Sequence, residues 1–254
     1  MAGIPLSDDY PVRRVPAVTY LLIAANVAVY LASPMSLMAV WYSGDLGERI
    51  CEVDHYIFRW GAVPLELFTG RQAASPAPCP GEPAATAPWL TVFTSMFLHG
   101  DALHLLSNMV YLFVFGPVVE DRLGRVRYTG LYLASGAVAT LAFALTDPAA
   151  EVPLVGASGA ISGVLGAYLV VQFRSRVITL VFFVLPVRLP GWALVGTYFV
   201  LQYVLYISVS LYPGAGETSV AYAAHVYGFV AGAAMALLIH RIRWRAGTRL
   251  SDVY

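Results

Sequence analysis

Charged residues are missing from long runs of this chain, and the runs have the length of membrane helices. Stretches with no Asp, Glu or Arg cover 15–44, 83–100, 102–119, 128–146, 152–173, 189–216 and 218–240, with a shorter one at 177–187. A helix that crosses a bilayer needs about 20 mostly apolar residues. The 83–100 stretch opens on Pro83-Ala84-Ala85-Thr86-Ala87-Pro88, which is loop chemistry, so it reads as an approach to the next helix. The 177–187 stretch is too short and carries Pro186; it reads as an interfacial lead-in to a helix from Pro190. Six spans remain, near 17–38, 101–119, 127–146, 154–173, 190–211 and 219–240. The first is longer than the apolar region of a secretion signal, which favours a span.

Composition points the same way. The chain is 59% hydrophobic and 12% charged, with mean hydropathy +0.69, against about 25% charged in a soluble domain. A soluble enzyme is excluded. The prediction is an all-α integral membrane protein, a bundle of six transmembrane helices in a lipid bilayer. The 15 basic residues, all arginine, balance 15 acids, so charge suggests no nucleic-acid partner. Nothing in the sequence bears on oligomeric state.

Arginine placement gives a direction. Arg13 and Arg14 precede span 1; Arg122, Arg125 and Arg127 lie between spans 2 and 3. Arg174, Arg176 and Arg188 lie between spans 4 and 5, and Arg241, Arg243, Arg245 and Arg249 follow span 6. That is 12 of the 15, on alternate loops. Both termini are therefore expected in the cytoplasm. Residues 1–16 and 241–254 would be cytoplasmic segments around a membrane domain of 17–240. The Arg-only, Ala-rich composition fits a GC-rich genome and a bacterial inner membrane.

A long external first loop is expected at about 41–88, helix-like in its first half and irregular from Ala73 to Pro88. It holds Cys51 and Cys79 on the oxidising side, where a disulfide and two free thiols are both open. No ligand spacing supports a metal at His55, and no metal or cofactor is expected.

Polar groups inside spans are costly and mark function more often than chance. Span 2 carries His104 and Asn108, four residues apart and so on one helical face. Span 4 carries Ser158 and Ser162 within Gly156-Ala157-Ser158-Gly159-Ala160-Ile161-Ser162-Gly163. Span 6 carries His225 within Ala224-His225-Val226-Tyr227-Gly228. These three spans run in the same direction and place their polar groups at one depth, a turn or two below the outer surface. Small residues at Gly156, Gly159, Gly163 and Gly166 in span 4, and Gly228 and Gly232 in span 6, read as packing positions that let two helix backbones approach closely. That packing would bring Ser158 to His225. Pro153 and Gly156 disfavour helix before Ser158, so span 4 should start late, below the surface, beside a water-filled cavity.

Blander roles compete. A single serine in a span is usually packing, and a single histidine can be a haem or metal ligand or part of a proton path. His99 reads as shaping the start of span 2, and His240 as a solvated neighbour of the arginines. Ser162, Tyr111, Tyr168, Tyr198 and Tyr203 read as packing or interface residues, and Glu120-Asp121-Arg122 as a cytoplasmic ion-pair turn.

At these residues the sequence resembles the rhomboid family of intramembrane serine proteases. The resemblance covers about 89–240 and rests on three motifs. They are His99-x4-His104-x3-Asn108, Gly156-Ala157-Ser158-Gly159, and Ala224-His225-x2-Gly228-x3-Gly232. The turn region Gly116 to Arg125 is also similar to the family's. The resemblance implies a six-helix bundle that cleaves transmembrane segments of other proteins. It makes Ser158 the nucleophile, His225 its general base, and His104 and Asn108 the side chains that help hold the oxyanion. Two positions depart from the family. Leu90 and Thr91 stand where a Trp-Arg pair often precedes the threonine matching Thr94, and Ser162 stands where some members put an aromatic ring against the histidine.

With no carboxylate at this depth, the chemistry would be a Ser–His dyad. Substrates would be membrane proteins presenting an extended peptide near the outer end of a transmembrane helix. The competing classes are an inactive rhomboid-like protein that binds membrane clients, and a transporter or His-ligated redox protein. The first would be expected to lack Ser158 or His225; the second would need polar groups reaching both faces.

Overall fold

The computed structural model describes residues 3–36, 38–42, 44–75, 79–81, 85–182, 184–211 and 221–245. Pro83 and Ala84 of the loop approach, and the tail from residue 246 on with Arg249, lie outside the described residues. In chain order the elements are β1 (Gly3–Asp8), α1 (Ala17–Ala32), α2 (Leu46–Trp60), α3 (Pro64–Thr69) and α4 (Pro88–Thr94). After a 3-10 turn at Ser95–Phe97 come α5 (Ala102–Leu123), α6 (Arg125–Thr146), α7 (Ser158–Val171), β2 (Arg176–Val181), β3 (Leu185–Pro190), α8 (Gly191–Leu211) and α9 (Tyr222–Arg245).

A helix stands at each of the six apolar stretches read as spans. Four of them, α5, α6, α8 and α9, are long and apolar enough to cross a membrane. The other two, α1 with 16 residues and α7 with 14, are shorter, about 24 and 21 Å at 1.5 Å per residue against a core of about 30 Å. α1 stops six residues before the expected 38, because Ser33 takes extended backbone, its hydroxyl donates to the Tyr30 carbonyl (2.7 Å), and Pro34 follows.

The chain is not wholly helical. β1, β2 and β3 form an antiparallel sheet in that order, pairing Gly3 with Val181 and Val177 with Leu189. The segment read as a lead-in to span 5 is therefore mostly a hairpin, and the N-terminal segment supplies its third strand. Prolines obey the sheet's hydrogen-bonding rule. Pro5, Pro186 and Pro190 stand in the two edge strands, and the central strand, β-branched at Val177, Ile178 and Thr179, has none.

The expected turn at Glu120-Asp121-Arg122 is helix instead, although Glu120 does lie in an ion pair, with Arg125 Nε at 3.9 Å. These residues form the last helical turn of α5, and only Gly124, at φ +83°, separates α5 from α6. Asp121 accepts a hydrogen bond from the Tyr10 hydroxyl (2.8 Å), Arg122 lies over the Tyr10 ring and donates to Gln172, and Glu120 is buried against the start of α1.

α7 is the axis of the bundle. Its residues from Gly159 to Tyr168 are all buried, and its largest interface is with α9. Glycine makes that contact possible. A methyl group at Gly228 would overlap the Gly159 carbonyl, and one at Gly232 the Gly163 carbonyl. Backbone meets backbone at both places.

The first loop is tied down by main-chain partners. Asp45 caps α2 through the N–H groups of Gly47 (2.9 Å) and Glu48 (3.1 Å). Arg49 then donates to the carbonyls of Pro34 (2.8 Å), Ser36 (2.5 Å) and Ala39 (3.3 Å). Thr94 donates to the Trp60 carbonyl (2.7 Å), and Ala62 bridges Leu154. These contacts hold the loop where the usual Trp-Arg pair is missing. A disulfide joins Cys51 of α2 to Cys79.

Candidate active site

Four helices contribute polar groups to one place. α7 begins at Ser158 because the preceding backbone is committed elsewhere: Gly156 has φ +129°, a conformation that favours glycine, and its N–H donates to the Ser95 carbonyl (2.9 Å). Ser158 is thus the first helical residue, half-buried, with Ala157 as the cap. His225 lies in the first turn of α9 and is buried. Its Nε2 is 2.8 Å from Ser158 Oγ.

α5 brings the other two predicted residues. Asp101 caps α5 by accepting from the His104 N–H (2.8 Å). The His104 ring packs on the bare Gly156 backbone. A methyl group there would lie 2.9 Å from His104 Nε2 and 3.6 Å from Ser158 Oγ. Only glycine leaves room for the imidazole beside the serine. Asn108 is buried one turn along the same helix, and its Nδ2 has no hydrogen-bond partner among the described residues. A buried amide donor left open is costly, which marks it as a group waiting for an acceptor. His99, also buried, stacks edge-on against His104 with centroids 5.1 Å apart.

Of the glycines read as packing positions, Gly159, Gly163, Gly228 and Gly232 meet at the α7–α9 contact, whereas Gly156 makes the turn that admits His104. Ser162 does not reach His225; its hydroxyl pairs with the Tyr198 hydroxyl of α8 at 2.8 Å. The sequence reading missed Gln202. This residue of α8 is buried, and its Oε1 lies 2.8 Å from His225 Nδ1. A signal existed: Gln202 is an amide within an apolar span. Unlike Asn108 it has no histidine, amide or charged residue one turn away in its span to draw attention to it. Among the described residues no three His, Cys, Asp or Glu side chains come together as a metal site.

A serine hydroxyl against an imidazole nitrogen, with open donors beside it, can support nucleophilic acyl transfer. Comparisons with known proteins fit this chemistry. Residues 86–242 match the Rhomboid domain family model, more than half of the chain. YdcA of Bacillus subtilis (strain 168) is 39% identical over 95 residues, 37% of this chain and 47% of YdcA. The rhomboid protease GluP of the same organism is 37% identical over 92 residues, 36% of this chain and 18% of GluP. Rhomboid protein 1, mitochondrial, of Saccharomyces cerevisiae is 32% identical over 199 residues, 76% of this chain and 49% of that protein. The matched region spans less than half the length of each of these relatives. With its family domain filling most of the helical bundle, this membrane protein belongs to the rhomboid family.

Proposed function

We propose that this protein is an intramembrane serine endopeptidase that cleaves transmembrane segments of other membrane proteins near their outer ends. The observation that carries the reading is the 2.8 Å approach of His225 Nε2 to Ser158 Oγ, at the start of a helix too short to reach both surfaces. Ser158 attacks the scissile carbonyl while His225 takes its proton, then returns it to the leaving amine. Water hydrolyses the acyl-enzyme by the same route in reverse. Asn108 Nδ2 and His104 stabilise the oxyanion together with N–H groups at the start of α7, where the helix has no side-chain cap. The chemistry asks for no metal or cofactor.

The same reading makes α1 and α7 spans beside the four long helices, six in all, with 41–88 as an external loop. Its support is the arginine distribution, which also puts 1–16 and 241–254 in the cytoplasm of a bacterial inner membrane. The disulfide in the first loop agrees with an oxidising outer side.

Purified protein, Ser158→Ala and His225→Ala are to be compared on a test transmembrane substrate and with a fluorophosphonate probe. Both variants are expected to lose cleavage while keeping the thermal unfolding of the parent, and Ser158→Ala to lose labelling. Asn108→Ala is expected to lower turnover by about 10²–10³. Ser162→Ala, whose lost hydroxyl pairs with Tyr198 and not with His225, serves as the active control. Undiminished cleavage by Ser158→Ala would overturn the reading.

A further inference from the structure

We infer that Gln202 is the positioning residue of His225, holding its imidazole in the tautomer that leaves Nε2 free to accept the serine proton. This rests on the Ser158–His225 reading above. α8 turns only Gly191, Val195 and Gln202 fully into the protein. Gln202 is the one polar side chain among them, 7% exposed. Burying an amide in an apolar helix is costly unless it is hydrogen-bonded. Its Oε1 meets His225 Nδ1 at 2.8 Å.

The tautomer follows from the partner. An amide oxygen accepts and cannot donate, so Nδ1 carries the hydrogen and the Nε2 lone pair faces Ser158. During attack the Ser158 proton passes to Nε2 and the oxygen bonds to the scissile carbon. The resulting imidazolium keeps its Nδ1–H on Gln202 while Nε2–H is delivered to the leaving nitrogen. In serine proteases with a triad a carboxylate holds Nδ1. Here a neutral oxygen does so, which suits a site within the membrane where a buried carboxylate would be expensive. The same contact spans α8 and α9, so it also fixes the ring where no aromatic side chain follows Ser158 by four residues.

The titratable groups set against His225 are Ser158 of α7, His104 of α5 and Tyr222 of its own helix. None is a carboxylate, so adding one at Gln202 has a readable effect. Gln202→Leu, Gln202→Glu and Ser158→Ala are to be assayed for cleavage across pH. Gln202→Leu is expected to lower kcat by roughly 10-fold or more, a share of the 10²–10⁴ that a general base supplies, with KM unchanged. Gln202→Glu keeps the acceptor and the shape. It is expected to recover most of kcat and to move the acidic limb of the pH–kcat profile to higher pH, because a carboxylate holds the imidazolium proton more tightly. A parent-like kcat in Gln202→Leu would overturn the inference. So would a Gln202→Glu profile superimposable on the parent's, which stays decisive should the leucine variant fail to fold. Persisting cleavage by Ser158→Ala would instead remove the underlying dyad reading, a result distinct from failure of the Gln202 variants alone.

Discussion

Glu120, in the last turn of α5, caps the distant helix α1 by accepting from both the N–H and the hydroxyl of Thr19, 101 residues earlier, each at 2.8 Å. The Val18 N–H adds a third bond at 3.1 Å. α1 needs this help, since its N-cap is Pro16, which offers no side-chain acceptor, and its first turn holds no acid. A negative charge at a helix N-terminus is favourable, and the pair locks the starts and ends of two helices together.

Removing that cap should destabilise the bundle. Glu120→Ala is expected to cost roughly 2–3 kcal/mol, the scale for losing hydrogen bonds to a buried charged group. Glu120→Gln, which keeps one acceptor oxygen, should cost less. Thermal unfolding of the purified variants in detergent reads both, and an unchanged midpoint for Glu120→Ala would show that the bonds carry no net stability.

The α7–α9 contact should tolerate no side chain. Gly232→Val places atoms on the Gly163 backbone, which cannot swing aside. Overpacking of this kind costs about 1–3 kcal/mol or more, and loss of cleavage is expected as His225 is pushed from Ser158. Gly196 in α8 is the matched control, because a methyl group there meets nothing within 4 Å. Gly196→Ala should keep full activity and gain up to about 1 kcal/mol from helix propensity. Equal stability of the two variants would contradict the packing argument.

Stability should depend on pH through Asp8 at the end of β1. Burial holds this carboxyl above its ordinary value, although the Tyr168 hydroxyl (2.5 Å) and the Tyr10 N–H (2.7 Å) donate to it. The folded protein therefore binds the proton more tightly than the unfolded chain. The stabilisation is complete below the ordinary value of 3.8 and is lost as pH rises through the folded one. Asp8→Asn keeps an acceptor for Tyr168 without the titration. From about pH 4 upward the parent should lose stability relative to this variant; a difference constant with pH in thermal melts would rule the effect out.

Much of the site was legible because polar residues are scarce in these spans. Ser158, His225, His104 and Asn108 stand out against apolar neighbours, and the bilayer's intolerance of unpaired polar groups is what gives them meaning. The glycines were legible for a related reason, since spacing of small residues along a helix reports where another backbone can approach. Gln202 was harder. Its partner is on another helix, and an amide in a span has several ordinary explanations until a neighbour 2.8 Å away is seen. Glu120 was half legible: charge anticipates its ion pair, here with Arg125 at 3.9 Å, but not its bonds to Thr19 and the N–H groups of α1, since N–H groups are carried by every sequence and announce nothing.

The chain alone therefore determined the apolar segments, their order and the polar groups that interrupt them, because burial in lipid acts on each residue where it stands. Tertiary structure decided the pairings. β1 joins β2 across some 170 residues, although the apolar stretch 177–187 names no partner; Arg49 finds three carbonyls in place of the usual anchor; and Gly156 turns a loop so that His104 and Ser158 share one space. Hydrogen bonds and close packing depend on distance and direction between groups remote in sequence, and those exist only once the helices have packed.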